Sequence, residues 1–140
     1  MKVLNIDDSI DHVTPLAIGN GTRIVEPGTI LILVRGMTLA HSLPVGIVRR
    51  RLAFNQDLKA FVCVPGVHRE FLLRWLEANE SKILLLTTES THGTKRLPTE
   101  DLLGCLVALP SVEEQRAIAE ALSDVDNLLE SLDRLIAKKR

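Results

Sequence analysis

A chain of 140 residues with 46% hydrophobic and 25% charged side chains can bury a real core, and it leaves room for little beyond one domain and an appendage. A formal net charge of -1 gives no global basic signature, and three Phe, one Trp and no Tyr are too few aromatics for a base-stacking platform. The two cysteines, Cys63 and Cys105, match neither a disulfide framework nor a zinc spacing; no apolar run approaches a membrane span; and no secretory apolar stretch opens the chain, so a cytoplasmic protein is expected.

From the N-terminus, residues 3–6 read as a strand fragment ending in the Asp7-Asp8-Ser9 turn, and residues 12–21 as loop around Pro15 and Gly19-Asn20-Gly21. That Gly-x-Gly lacks a third glycine and a following helix, so it is a turn and not a dinucleotide site. Residues 22–25 form a short strand. Residues 29–35 are the strongest strand of the chain, a continuous and partly β-branched run expected to be buried on both faces. Residues 37–44 form a loop carrying Thr38, His41 and Ser42. Further strands are expected at 45–51, with Arg49, Arg50 and Arg51 in a row, and at 52–54 and 58–64, with Asn55-Gln56 as a structural turn between the last two. Beyond Pro65-Gly66, residues 67–79 space Val67, Phe71, Leu72, Trp75 and Leu76 along one face of a core helix. Residues 83–88 fit either strand or helix. Residues 89–95 read as a polar loop around Gly93, residues 98–103 as a helical turn capped by Thr99, and residues 106–109 as a last strand. The pattern predicts an α+β domain, with a mixed or antiparallel sheet and a core helix, over residues 1–109.

Residues 110–140 form the second unit. Ser111-Val-Glu-Glu114 is a capping box. Behind it, Ile118, Ala121, Leu122, Val125, Leu128, Leu129, Leu132, Leu135 and Ile136 recur in a/d/e heptad positions, with no Pro or Gly inside the helix. Glu113 and Glu114 near the start and Lys138, Lys139 and Arg140 at the end favour the helix dipole. At about 1.5 Å per residue the helix is roughly 40 Å long, longer than a compact 110-residue domain readily covers. The stripe can pack on its own domain or pair with another helix as a coiled coil. Length favours the second, and the 67–79 helix is too short to serve as that partner.

Charge is uneven. Arg23 to Lys59 holds six basic residues and two acids, whereas the terminal helix has seven acids and five bases. A locally basic face suits a DNA binder with charge confined to its contact surface, or an ordinary solvated face. The four histidines, His12, His41, His68 and His92, lack ligand spacing, and there is neither a phosphate-binding loop of the Walker kind nor a nucleophile elbow. Glu80-Ser81-Lys82 has the Glu-x-Lys shape of one nuclease group without the upstream acid that such a metal site needs. No catalytic residue, cofactor site or metal site is predicted, and the chain reads as a binding module.

Four pieces in order carry a resemblance. Glu26-Pro-Gly-Thr-Ile-Leu-Ile-Leu-Val-Arg-Gly36 resembles the Gly-Asp-Ile-Leu…Arg-Gly segment of target-recognition domains in type I restriction–modification specificity subunits. Phe54-Asn55-Gln56-Asp57 resembles the Asn-Gln step that comes after it there. Thr91-His-Gly-Thr-Lys-Arg-Leu97 with Asp101-Leu102 is similar to the Gly-Thr…Leu…Asp-Leu segment. Leu109-Pro110-Ser-Val-Glu-Glu-Gln115 with Ile118 is similar to the entry of the family's spacer helix, with Ser111 in place of a second proline. Each piece alone is common; their order, over residues 20–140, is specific.

The resemblance implies a target-recognition domain (1–109) followed by a spacer and dimerisation helix (110–140), half of a subunit that normally carries two of each. Two copies would then pair their helices antiparallel as a homodimer reading a bipartite site in double-stranded DNA. Separate methyltransferase and restriction subunits would do the chemistry, the former with S-adenosylmethionine, and this chain would make no bond. The residues then expected at DNA are Arg35, Thr38, His41, Arg49, Arg50, Arg51, Lys59, His92, Thr94, Lys95 and Arg96, with Lys95-Arg96 and the 37–42 loop foremost. The alternatives are an interaction fragment that pairs with a full-length specificity or modification subunit without binding DNA alone, and an enzyme built on Glu80 and Lys82.

Overall fold

The computed structural model describes residues 5–90 and 93–139. Its centre is a four-stranded sheet of β1 (Asn5–Ile6), β3 (Ile30–Leu33), β4 (Val45–Val48) and β6 (Leu58–Phe61), in the order β1-β4-β3-β6. β1 runs parallel to β4, and the other pairings are antiparallel. β2 (Arg23–Val25) pairs antiparallel with β5 (Leu52–Phe54) as a separate ribbon, and β7 (Thr88–Glu89) with β8 (Lys95–Arg96) as a small hairpin. Helices α1 (Arg69–Ala78), α2 (Glu80–Leu84) and α3 (Thr99–Leu103) precede the long α4 (Val112–Lys138). The predicted α+β class, with its mixed sheet, core helix and long terminal helix, holds.

β3 is apolar throughout because each of its faces meets a core. On one face Ile30, Ile32 and Val34 join Val45, Ile47, Leu73, Leu76, Ile83 and Leu97. On the other, Leu31 joins Val25 and Val48, with Leu52, Phe54 and Leu58 packed against them. This is the reason for an unbroken run in place of an alternating one.

Several expected elements differ. Of the predicted strand at 3–6, residues 3 and 4 lie outside the described residues, and β1 accounts for the other two. The ambiguous 83–88 run is neither strand nor helix throughout: Ile83 and Leu84 end α2, and β7 starts at Thr88. Of the 89–95 loop, residues 91 and 92 lie outside the described residues, while Glu89 ends β7 and Lys95 opens β8. Thr99 lies within the first turn of α3, where Pro98 holds the N-cap position without a side-chain cap. No strand forms at 106–109, where Leu106 and Leu109 are exposed.

The capping box of α4 forms as its residue types predict. Glu114 N–H donates to Ser111 Oγ (3.3 Å), and Ser111 N–H donates to Glu114 Oε2 (3.0 Å). Ser111 Oγ also donates to Glu114 Oε2 (2.8 Å), and this bond, with the one from Ser111 N–H, holds the Glu114 carboxyl below its ordinary range.

The face that α4 turns to its own domain is polar. Gln115 is 1% exposed. Its Oε1 accepts from His68 N–H (2.8 Å), and its Nε2 donates to Gly66 O (3.0 Å) and Pro110 O (2.9 Å). Ala119 is buried beyond it, and Arg74 of α1 reaches over to hydrogen-bond Ser123 Oγ (3.4 Å) and ion-pair with Asp126. Past Asp126 every described residue of the helix is exposed. Replacing Gln115 by Ala removes the partner of one donor, His68 N–H, and two acceptors, Gly66 O and Pro110 O, at the junction of α1 and α4. The expected cost is about 2–3 kcal/mol, read as a lower urea midpoint with an unchanged slope.

Candidate nucleic-acid interface

One end of the central sheet gathers several of the sequence-predicted contact residues. Immediately after β3, the chain continues through Val34, Arg35 and Gly36 with two neighbours. On one side, Asp57 O accepts from Val34 N–H (2.8 Å) and Arg35 N–H (3.3 Å). On the other, Leu97 N–H donates to Val34 O (2.9 Å) and Gly36 N–H donates to Lys95 O (3.0 Å), with Arg35 bridged to Arg96. The β7–β8 hairpin is thereby hung on the end of β3. Gly36 permits this with φ 146° and ψ 165°, a backbone region essentially closed to other residues. The chain then turns into a short 3₁₀ helix, Met37–Ala40, that packs beside β8.

Arg35, Thr38, Lys95 and Arg96 are therefore brought together, although they come from segments roughly 60 residues apart in sequence. Thr38 and Arg96 are exposed, and Arg96 forms no ion pair among the described residues. His41 is also exposed and closes the 3₁₀ helix, its N–H on Thr38 O (3.0 Å). Thr94 is half-buried in the hairpin and its carbonyl accepts from Ser90 N–H (3.0 Å). His92 lies outside the described residues.

Much of the positive charge at the other predicted positions is already matched within the chain. Arg35 faces Asp57 (3.7 Å), and Lys95 faces Glu89 (2.7 Å). The run of three arginines diverges. Arg49 donates to Asn5 Oδ1 (2.6 Å) and lies 3.7 Å from Glu70, Arg50 lies 3.7 Å from Asp8, and Arg51 3.3 Å from Glu26. The three adjacent arginines thus make ion pairs with three different acids, although Arg50 and Arg51 line one groove together with Asp8 and Asp11. Such exposed pairs contribute at most about 1 kcal/mol each, weak enough for an incoming phosphate to replace the carboxylate.

Lys59 stands apart on β6, exposed and without an ion pair among the described residues. Its neighbours across a groove are Arg23, Asn55 and Gln56, which the sequence did not single out for contact. Asn55 does make the structural turn expected of it, its Oδ1 accepting from Asp57 N–H (3.0 Å). Arg23 had one usable signal: it is the first basic residue after the Gly19-Asn20-Gly21 turn.

The remaining expected chemistry is accounted for locally. Glu80 opens α2 and accepts from Leu43 N–H (2.7 Å). Among the described residues no group of three or more His, Cys, Asp or Glu side chains is arranged to hold a metal ion, and no helix is long and apolar enough to cross a membrane. The nine predicted interface residues of α4 form one outward stripe. All are exposed, the eight larger ones between 42% and 60%.

The family model described as type I restriction modification DNA specificity domain matches residues 18–138. No curated protein matches the chain. Among solved structures, a chain described under complex assembly and conformational transition of the type I R-M system is similar, with a TM-score of 0.67 and 23% identity. The similarity covers 83% of this chain and 27% of that one, so this chain spans about a quarter of its length.

The hairpin's attachment gives a prediction. Gly36→Ala forces a side chain into a backbone region that costs about 1–3 kcal/mol. Amide exchange at Leu97, protected by Val34 O, should accelerate while Ile32 in the middle of β3 stays protected.

Proposed function

This chain belongs to the family of type I restriction modification DNA specificity domains, and we propose that it recognises a DNA sequence as a specificity subunit, two copies pairing along α4. In this reading residues 1–109 are the target-recognition domain and residues 110–140 the spacer and dimerisation helix. The pair reads a bipartite site in cytoplasmic double-stranded DNA. Separate methyltransferase and restriction subunits carry out the reactions, and the chain needs no cofactor of its own.

The observation that carries the pairing is the orientation of α4. Its polar Gln115–Ser123 face is spent on its own domain, which leaves the heptad stripe facing outward. Eight half-exposed Leu, Ile and Val side chains per copy gain roughly 1 kcal/mol each on full burial. Two copies together offer on the order of 16 kcal/mol, against about 4–15 kcal/mol for the cost of association. Antiparallel pairing of identical helices also closes the assembly on a twofold axis.

A second reading is favoured by the ion pairs at Arg35, Arg49, Arg50 and Arg51, which leave modest free charge for DNA. In it the chain pairs through α4 with a full-length specificity or modification subunit and does not bind DNA alone.

Light scattering of the purified chain should give about twice its 15.5 kDa mass. Leu128→Glu with Leu132→Glu, both exposed in the single chain, should return it to monomer without loss of fold. A monomeric parent chain at high micromolar concentration would sink the homodimer. The double variant Lys95→Ala with Arg96→Ala should weaken duplex binding and lower the slope of log affinity against log salt by about 1–2. Unchanged affinity across salt concentrations would remove the hairpin from the DNA surface.

A further inference from the structure

The groove beside β6 adjoins the sheet end described above at the Asn55–Asp57 turn, but it is lined by other residues. It has a volume of about 450 Å3 and runs between the β2–β5 ribbon and the β6 edge, the outer strand of the central sheet. Arg23 lines one side and Lys59 the other. No carboxylate lines it, and neither cation has an ion-pair partner among the described residues. The other basic residues between Arg23 and Lys59 are each matched to an acid, so these two carry the uncompensated positive charge of that stretch.

The rest of the groove is polar and open. Asn55 and Gln56 contribute side-chain amides, and Asn55 has only its oxygen committed within the turn. Gly19 and Gly21 line the groove with φ of +88° and +85°, and a Cβ built on either meets nothing within 4 Å. That side is bare backbone, which a ligand can approach closely. Two uncompensated cations, amide donors and no carboxylate select an anion. Phe54 is the one aromatic residue of the lining, and it is half-buried against the second core.

We infer that this groove seats the phosphodiester backbone of duplex DNA, a sequence-independent contact additional to the sheet end and resting on the DNA-recognition reading above. Arg and Lys contact phosphate more often than bases, and phosphate contacts fix position on the duplex. Each phosphate neutralised releases counterion from the DNA, and an unpaired cation does this without first parting from a carboxylate. The groove therefore supplies affinity and register, and carries no sequence information.

The test is Arg23→Ala with Lys59→Ala, alongside the charge-preserving Arg23→Lys with Lys59→Arg. Both positions are exposed and unpaired, so both variants should keep the parent's thermal unfolding. Against duplexes of several unrelated sequences, the alanine variant should lose affinity by a similar factor on each, roughly tenfold. Its log affinity against log salt slope should fall by about 2. The charge-preserving variant should restore the slope. Loss confined to one sequence, or an unchanged slope in a parent chain that binds DNA, would overturn the inference and leave the DNA reading standing. A parent chain without duplex binding would overturn both. Inorganic phosphate titrated by NMR separates the sources: groove shifts at micromolar phosphate, with duplex affinity unaffected by the alanine variant, mark a small-anion site in place of a DNA contact.

Discussion

One buried carboxamide decides what the long helix can do. Gln115 hydrogen-bonds three backbone groups from two segments, 66–68 and Pro110. An apolar side chain at this position would leave those groups without partners at the helix junction. The clamp sets the rotation of α4 about its own axis, and Arg74 with Asp126 holds that rotation about three turns further on. Once the rotation is set, the heptad stripe has to face away from the domain. The hydrophobic surface that would normally pull a helix onto its own core is thus kept available, because a polar contact has won the competition for the near side.

This explains which features were legible in the sequence. The capping box, the length of α4 and its stripe derive from local spacing and are all present. β3 announced its two-sided burial by its unbroken run of Thr-Ile-Leu-Ile-Leu-Val. The packing face of α4 was not legible, because Gln115, Ala119 and Ser123 have no apolar signature, and the domain groups that Gln115 and Ser123 meet are 47 and 49 residues away. The β7–β8 hairpin was missed for a related reason. Its strands are two residues each, too short for a periodic signal, and they are held by backbone bonds to the end of β3. The expected strand at 106–109 had the right composition but pairs with none of the described strands.

The basic residues teach the same lesson. Composition located a positive stretch, yet the carboxylates that neutralise it come from Asp8, Glu26, Asp57 and Glu70, and two of those lie outside the stretch. Adjacent arginines in sequence look like a patch and behave as three independent surface pairs. Uncompensated charge is instead found where chain crossings assemble it, at Arg96 on the hairpin and at Arg23 and Lys59 across the groove. Sequence spacing could not place Arg23 beside Lys59, because the two meet only through the separate pairings of β2 with β5 and β3 with β6.

The sheet end and the helix junction are built to different tolerances. Thr38 and Arg96 project from a 3₁₀ helix and a hairpin whose attachment is made by main-chain bonds, so their side chains can be exchanged without disturbing that attachment. Gln115, by contrast, is one buried side chain satisfying three main-chain groups. Drift under selection should therefore be fast at the one and slow at the other, a division that lets the surface of the sheet end change while the placement of α4 is kept.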